Sequence, residues 1–558
     1  LKALCGFVEA HGWIVFAVVS LLCGWIRLNS LASRHLDHDE LYTFYIAQAP
    51  TLKQLFLLTR TIDLHPPLSY LLIRVSFAVF GINSWSCRLP SVIAFFLTAA
   101  LLYWLVARIV APIYGIIATL VLWSVPFAYM ADEARPYSLL LCFTTLMLAG
   151  WYRATEETGP VPETRERYFA LVSLAVGGFG LLLSHVLGVL PYSAFFLAEL
   201  VRYCGRRKSD WSLWIALLAP SISVATYFPL FHIQSKLLYT QDYRATPMQI
   251  VNFYVGAVRF LAVPLVVIAL LSIVWPTLRQ WRWQALPESV TPNPRPQAFG
   301  ALCLLLICFF VVPVGVGLIF ARTGTAFFDR YGCVALIPLA VVPALILGFR
   351  TQRSQVSGAL AAFLLGAVLW LNAPGKCWLI EQLGNFAPPR AARWVLNSLA
   401  MPLIVYQPFK PIVAPHLQHD LAVAPPISNL DVVDPGLPVV ANTGLTFLEL
   451  DHQGDAELTK RLYLLDNKDA ATTIAHDTVF ENYERLTRVF PIRGRVEQYC
   501  SFIARHPHFL ALGAYNHPQG WLLKKLDRDG AELHIIGTYQ GITEEAQIYE
   551  VTVLRAGC

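Results

Sequence analysis

Charged side chains are scarce in this sequence: they make up 14% of its 558 residues, where soluble domains carry about 25%. With a mean hydropathy of +0.53, the chain is not a soluble globular protein. The charges it does have form no extended basic block. Basic residues sit mostly in short loops between apolar runs, so the net +6 gives no reason to expect nucleic acid as a partner. Metal and disulfide signatures are also missing. Of the eleven cysteines, most, such as Cys23, Cys142, Cys303 and Cys308, lie inside apolar runs, and none has metal-ligand spacing. Cys377, Cys500 and Cys558 fall in the more polar last third, which permits one bridge without requiring it. That third has no Gly-rich phosphate loop, no His/Cys cluster and no Gly-x-Ser-x-Gly, and no chemistry is assigned to it. The first apolar run is too long for a cleaved leader and lacks a small-residue cleavage site, so it is read as a retained helix.

Long apolar runs are what the chain has in abundance. A bilayer core of about 30 Å takes roughly 20 apolar helical residues, and on that basis twelve runs stand out between residues 12 and 372. The basic loops "RYCGRRKSD" (202–210), "LRQWRWQ" and "FRTQRSQ" decide the topology, because all three belong in the cytoplasm. They reach it together if the run at 66–82 lies at the outer interface. Pro66 and Pro67 open that run and Arg74 interrupts it, a costly residue in lipid. The expected fold class is therefore a polytopic α-helical membrane protein of about eleven spans with a C-terminal soluble α/β domain. The membrane domain is placed at 1–372 with a long first outer loop at about 32–88, and the periplasmic domain at 373–558. Acidic residues follow this division, 20 of 36 lying after residue 372. In the last domain "PLIVYQP", "LPVVAN", "HFLALGAY", "AELHIIGTY" and "AQIYEVTVL" read as strands, and "HDTVFENYERLTRVF" and "VEQYCSFIARH" as helices.

Under this topology the outer face collects acids and bases. "HLDHDELYTFYIAQ" (35–48) alone holds Asp37, Asp39 and Glu40, and "MADEARPYSLLL" sets charge against an apolar run, where an unpaired charge is expensive. One reading is a solvated loop; the other is a catalytic cleft. In such a cleft a carboxylate takes the proton of an attacking hydroxyl, and a cation holds a phosphate that carries away the departing charge. A transporter or flippase of envelope lipids or glycans is the competing reading. Against it, the ionisable cluster lies at the membrane edge, not the midplane, and no repeated pair of broken helices is found. A noncatalytic scaffold is the third class.

Six motifs then occur in order: "HDELY", "DLHPPLSYLL", "FGINSWSCRLPSVIAF", "ADEARPYSLLL", "LLSHVLGVLPY" and "FFDRYGCVALIPL". Over about residues 12–350 their order resembles the GT-C superfamily of polytopic glycosyltransferases. Within it the likeness is to the bacterial group related to protein O-mannosyltransferases, lipid A aminoarabinose transferases and rhizobial galacturonic acid transferases. The resemblance implies an inverting hexosyl or pentosyl transfer from a polyprenyl-phosphate donor. The acceptor would be a lipopolysaccharide, glycolipid, glycan or protein hydroxyl at the outer face of a bacterial cytoplasmic membrane. Carried over by position, Asp39 is the implied base with Glu40 beside it; the alternative for Asp39 is the N-cap of the helix that follows. His65 falls where related enzymes have a basic residue near the donor phosphate, or else braces the loop before two prolines. Glu133 and Arg135 match the second outer-loop motif and either pair with each other or serve acceptor and phosphate. Arg330 and Tyr331 are implied phosphate contacts, with interfacial snorkelling as the alternative for the arginine; Arg88 and His185 are read as structural. The aminoarabinose transferases' acid directly before the loop proline is replaced here by Arg135, so no metal is required, although Asp39, Asp132 and Glu133 are oxygen donors of a kind that a divalent ion accepts.

Overall fold

The apolar runs fold as helices, as the shortage of internal polar partners in lipid demands. The computed structural model describes residues 2–28, 31, 34–156, 164–234, 245–257, 266, 268–270, 273, 296–325, 327–371, 414, 417–428, 430, 433–476, 480–539, 541 and 546–554. Among these, six helices are long and apolar enough to cross a membrane: Ser84–Ile109, Arg165–Ser184, Val186–Arg206, Trp211–Ile233, Ala298–Thr323 and Asp329–Arg350. Shorter apolar helices at Gly12–Ile26, Leu68–Phe80, Pro112–Ser124 and Gln355–Ala367 accompany them. The protein is a multi-pass membrane protein. Most of the run expected at 252–275, the strand "PLIVYQP" and the boundary expected at 372–373 lie outside the described residues.

Several runs are interrupted where proline removes a backbone donor. The run at 113–130 ends as α-helix at Ser124, because Val125, preceding Pro126, turns extended at φ −66° and ψ 147°. The chain resumes as a tight 3-10 segment, Pro126–Asp132, which delivers the "DEARPY" loop. The Ser84–Ile109 helix starts four residues before Arg88, earlier than expected, because Asn83 and Ser86 cap it reciprocally. The Leu68–Phe80 helix explains its own interior arginine. Arg74 turns its guanidinium to the carbonyls of Ala47, Ala49 and Pro50, past the carboxyl end of the His38–Ala47 helix, where a cation is favoured.

Beyond the membrane helices lies a seven-stranded sheet in the order β1-β6-β7-β5-β2-β3-β4. Its strands are β1 (Pro426–Ile427), β2 (Val439–Ala441), β3 (Leu462–Asp466), β4 (Arg495–Gln498), β5 (His508–Gly513), β6 (Glu532–Tyr539) and β7 (Ala546–Thr552). β2 pairs in parallel with both β3 and β5, while β7 runs antiparallel to β5 and β6. Side chains alternate faces along a strand, and here both faces are buried. Val440, Tyr463, Leu465, Phe509 and Ala511 enter one core; Val439, Ala441, Leu464, Leu510 and Leu512 enter another. Burial on two sides is why these strands read as continuous apolar runs. The second core continues into the first outer segment through Leu36, Leu41, Tyr42, Tyr45 and Ile46. The sheet domain and the His38–Ala47 helix therefore share one apolar interior.

Three strand assignments differ from the sequence expectation. β1, Pro426–Ile427, is a two-residue strand in a proline-rich stretch that reads as loop, formed along the edge of β6. β3, "LYLLD", has no polar alternation to mark it. β4 takes the first residues of "VEQYCSFIARH", leaving the helix only Tyr499–Arg505, because β3 offers a parallel edge from Tyr463 to Asp466.

Candidate active site

Three loops converge on the start of the His38–Ala47 helix. Asp37 is its N-cap, accepting from the Glu40 amide at 2.8 Å while Glu40 accepts from the Asp37 amide at 3.2 Å. The capping role open to Asp39 is thus filled by Asp37, and Asp39 in the first turn does not serve it. Glu40 is fully buried. Arg88 meets it with a two-pronged grip, Nε to Oε1 at 2.7 Å and Nη2 to Oε2 at 2.6 Å, and the Ala134 amide donates to Oε1 at 2.8 Å. With both oxygens engaged, Glu40 joins the first loop, the Ser84–Ile109 helix and the "DEARPY" loop.

Asp39 has a cation on each side. Arg330, from the 3-10 turn Asp329–Ala335, brings Nη2 to 2.5 Å from Oδ2. Its Nη1 lies 3.2 Å from Glu133 Oε1. Arg330 therefore bridges two carboxylates, with Phe328, Tyr137 and Tyr331 rings around its guanidinium at 5.0, 5.6 and 6.0 Å. Tyr331 adds a wall of rings rather than a charge contact, standing 5.9 Å from Tyr137 and 6.3 Å from His185. Arg135 does not pair with Glu133. Its fork grips Asp63 at 2.6 and 3.1 Å, and Nη1 also reaches the Asp39 carbonyl at 3.1 Å and Thr43 at 3.2 Å. Tyr70 completes the Asp63 shell at 2.6 Å. Arg135 thus ties the first outer segment to the second loop.

Asp63 and His65 are set by a local distortion. A π-helical turn, Thr59–Asp63, ends at Leu64 in the left-handed region, φ 56°, immediately before His65, Pro66 and Pro67. A bulky residue held there is strained, a feature that clusters at functional sites. His65 Nδ1 meets the Asp63 carbonyl at 2.5 Å, so Nδ1 carries the proton and Nε2 is a lone pair. His185 is the reverse: its Nδ1 accepts from the Leu187 amide at 3.0 Å, which puts the proton on Nε2. The rings lie 4.8 Å apart, and among the described residues neither Nε2 has a hydrogen-bond partner. Burial lowers both pKa values first; Asp63 offsets part of this at His65, and Arg135 adds to it at both rings. The two neutral rings offer one acceptor and one donor, the pattern a hydroxyl satisfies. In this state His65 has no proton on Nε2 for a phosphate, and His185 is the ring that does.

The two carboxylates around Arg330 differ in charge. Burial alone raises Asp39, but Arg330, Arg135 and His38 outweigh it and hold the carboxyl well below its usual range. Glu133 moves up: burial dominates, Arg330 offsets only part of it, and Asp37, Glu40 and Asp39 add repulsion. Glu133 Oε2 has no hydrogen-bond partner among the described residues. A carboxyl raised in the folded state stabilises fully below its unfolded pKa of about 4.3 and loses that stabilisation as pH rises through the folded value. Glu133→Gln is therefore expected to melt above the unsubstituted protein at pH 8, with the gap closing toward pH 4. Melting curves at the two pH values check this, and a gap independent of pH contradicts it. Among the described residues no group of three His, Cys, Asp or Glu is placed to hold a metal ion.

Residues 64–228, which hold His65, Arg88, Glu133, Arg135 and His185, match the family of dolichyl-phosphate-mannose-protein mannosyltransferases. The match covers under a third of the chain. The chain also aligns with two crystal structures of ArnT from Cupriavidus metallidurans. The one bound to undecaprenyl phosphate aligns at TM-score 0.49 and 14% identity, over 98% of this chain and 99% of that one. The apo structure gives 0.46 and 13%, over 97% and 98%. No curated protein sequence matches the chain.

Three of the site's features were outside the sequence reading. Asp63, the partner of Arg135, sits in "TIDLHPP" two positions before His65 and was legible as an acid beside the motif. His38 and Glu449, 411 positions apart, carried no joint signal.

Proposed function

We propose that this transferase moves a hexose or pentose from a polyprenyl-phosphate donor to an acceptor hydroxyl, with inversion, at the outer face of the cytoplasmic membrane. The acceptor hydroxyl belongs to a lipopolysaccharide, glycolipid, glycan or protein. The observation that carries the reading is the ionised Asp39 held by an arginine that is not locked to it. Arg330 has 20% of its side chain exposed, touches two carboxylates, and lies among three aromatic rings. Arg135 and Arg88, by contrast, are committed to Asp63 and Glu40.

In the proposed step Arg330 turns from Asp39 to the donor phosphate. Asp39 takes the proton of the acceptor hydroxyl as its oxygen bonds to the anomeric carbon from one side. The bond from that carbon to the phosphate oxygen breaks on the other, and the electron pair leaves with the phosphate, whose charge the cation stabilises. Glu40 positions the helix that carries Asp39. His185, and Arg330 once turned, are the donors available to phosphate oxygens, and the His65–His185 pair suits a sugar hydroxyl.

Two further observations support the donor and the side. An apolar groove of about 940 Å³ runs from Leu72, Leu89 and Leu139 to Trp104 and Arg108. The helix rise between Leu89 and Arg108 is about 28 Å, the thickness of a bilayer core and enough for a long isoprenoid chain. The Val186–Arg206 helix starts beside His185 and ends at the basic "RRK" loop, and the Asp329–Arg350 helix carries Arg330 at one end and Arg350 at the other. Basic ends opposite the site favour an outer cleft. Cys500 is disulfide-bonded, as suits an oxidising compartment.

Membranes holding the protein, incubated with radiolabelled polyprenyl-phosphate hexoses and pentoses, are expected to consume at least one donor and release polyprenyl phosphate. A flippase relocates the donor intact. Recovery of every donor unconsumed, together with its relocation, overturns the reading.

A further inference from the structure

The sheet domain, which has no chemical motif of its own, reaches the candidate site through the Gly444–Gln453 helix. Glu449 Oε1 accepts the His38 backbone N–H at 3.1 Å and lies 3.2 Å from His38 Nδ1. The other ring nitrogen, Nε2, lies 3.8 Å from Asp39 Oδ1. One imidazole therefore stands between a carboxylate of the sheet domain and the proposed base. Both are well shielded: the Glu449 side chain is 3% exposed and that of His38 21%.

We propose that Glu449 is a positioning residue for the transfer, fixing the His38 ring against Asp39 so that the sheet domain sets the orientation of the base. This inference rests on the transferase reading above. A helix N-terminus needs a carboxylate only at its amides; here the same oxygen also takes the ring, and that second contact turns Nε2 toward Asp39. The groups facing His38 are Asp37 and Asp39 from its own helix start and Glu449 from the Gly444–Gln453 helix, with Arg330 on the far side of Asp39. Burial opposes charge on the ring, but the Glu449 hydrogen bond and the three carboxylates outweigh it and push the pKa up to about 10. His38 is then an imidazolium that donates from Nδ1 to Glu449 and turns its charged Nε2 side to Asp39 at 3.8 Å. When Arg330 turns to the donor phosphate, His38 is the cation that still holds Asp39 Oδ1, leaving Oδ2 for the acceptor proton.

The contact does not depend on two flexible side chains alone. Tyr42 and Tyr45, one and two turns on, stack near Tyr483 and Phe490 of the sheet domain at 5.8 and 5.5 Å. Leu41 and Ile46 share a core with Phe447, Leu448 and Leu450 of the helix that carries Glu449. The shared core fixes the distance between the two helices, and Glu449 converts that distance into a ring orientation.

The test uses the full chain in lipid nanodiscs, with ¹⁵N-histidine spectra and donor turnover measured on the same samples. In Glu449→Gln the His38 titration is expected to fall from about 10 toward the ordinary value of about 6.5. Turnover is expected to fall about tenfold or more, as misplacing a catalytic group does, with KM within about twofold. Glu449→Asp, which keeps the charge, restores part of both, and is read in the same way should Glu449→Gln fail to insert. A His38 titration unmoved by the substitution overturns the inference, as does unchanged turnover, or a turnover loss that Glu449→Asp does not relieve. If the unsubstituted protein consumes no donor, the transferase reading falls, and with it the inference, whereas an unmoved His38 titration alongside normal turnover fells the inference alone.

Discussion

Asp39→Asn is expected to lower turnover at least about a hundredfold, the range general-base catalysis contributes, while the protein still inserts and melts close to the unsubstituted temperature. Asn keeps the volume and the first-turn position but cannot take a proton. Arg330 loses one partner and keeps Glu133 at 3.2 Å, and removing the Asp39 charge takes away one of the repulsions that raise Glu133, so Glu133 can ionise as the counter-ion and the structural cost is small. The loss should fall on turnover more than on KM, because the proton moves only as the acceptor bonds to the anomeric carbon. The expected pH behaviour follows from charge. Asp39 is held ionised by Arg330, Arg135 and His38 against the pull of burial, and Arg135 and His38 remain once Arg330 has turned to the phosphate, so the acid limb of turnover should not fall at ordinary carboxylate pH. Initial rates of donor consumption from pH 4 to 9 measure both. Retained turnover in the Asn variant removes Asp39 from the chemistry.

Much of this site was legible because it is local. Asp37 and Glu40 stand three apart at a helix start, the spacing of a reciprocal cap, although by sequence the cap was offered to Asp39, and the structure gives it to Asp37. Pro66, Pro67 and Pro136 announce where the loops must turn. The helices followed their apolar runs because in lipid the backbone has no other partner. Charge pairing was not legible. Glu133 and Arg135 stand two apart and read as a pair, yet Arg135 goes to Asp63 and Glu133 to Arg330, 72 and 197 positions away. In an extended stretch such as Glu133, at φ −105° and ψ 128°, side chains two apart share a face, but a buried arginine goes to whichever acid can meet its fork in two places. β3 and β4 were missed for a related reason: a strand buried on both faces shows no alternation, and a short polar one is made by its neighbour's edge.

The largest stability effect is expected at Arg88. Its guanidinium is fully buried and serves five acceptors: both oxygens of Glu40 and the carbonyls of Leu31, Arg34 and His35. Arg88→Met removes every donor and leaves Glu40 as a buried charge paired only with the Asp37 and Ala134 amides and the more distant Arg34. Breaking one half of such a pair costs about 3–5 kcal/mol, a large share of the about 5–15 kcal/mol that holds a typical protein folded. Glu40→Gln strands the other half and is expected to cost a similar amount. The double variant Arg88→Met with Glu40→Leu separates the pair from its surroundings. Removing both charges cancels the stranded-charge penalty, so the double should be less destabilised than the sum of the singles, although the three carbonyls stay unpaired and recovery is incomplete. Melting or proteolysis of the membrane-embedded protein reads each value. The contrast with Asp39 then distinguishes two kinds of acid in one helix turn. Asp39→Asn loses turnover and keeps stability, whereas Glu40→Gln loses stability and takes turnover with it. If Glu40→Gln melts normally but fails to turn over, Glu40 acts in the chemistry directly rather than through the position of Asp39.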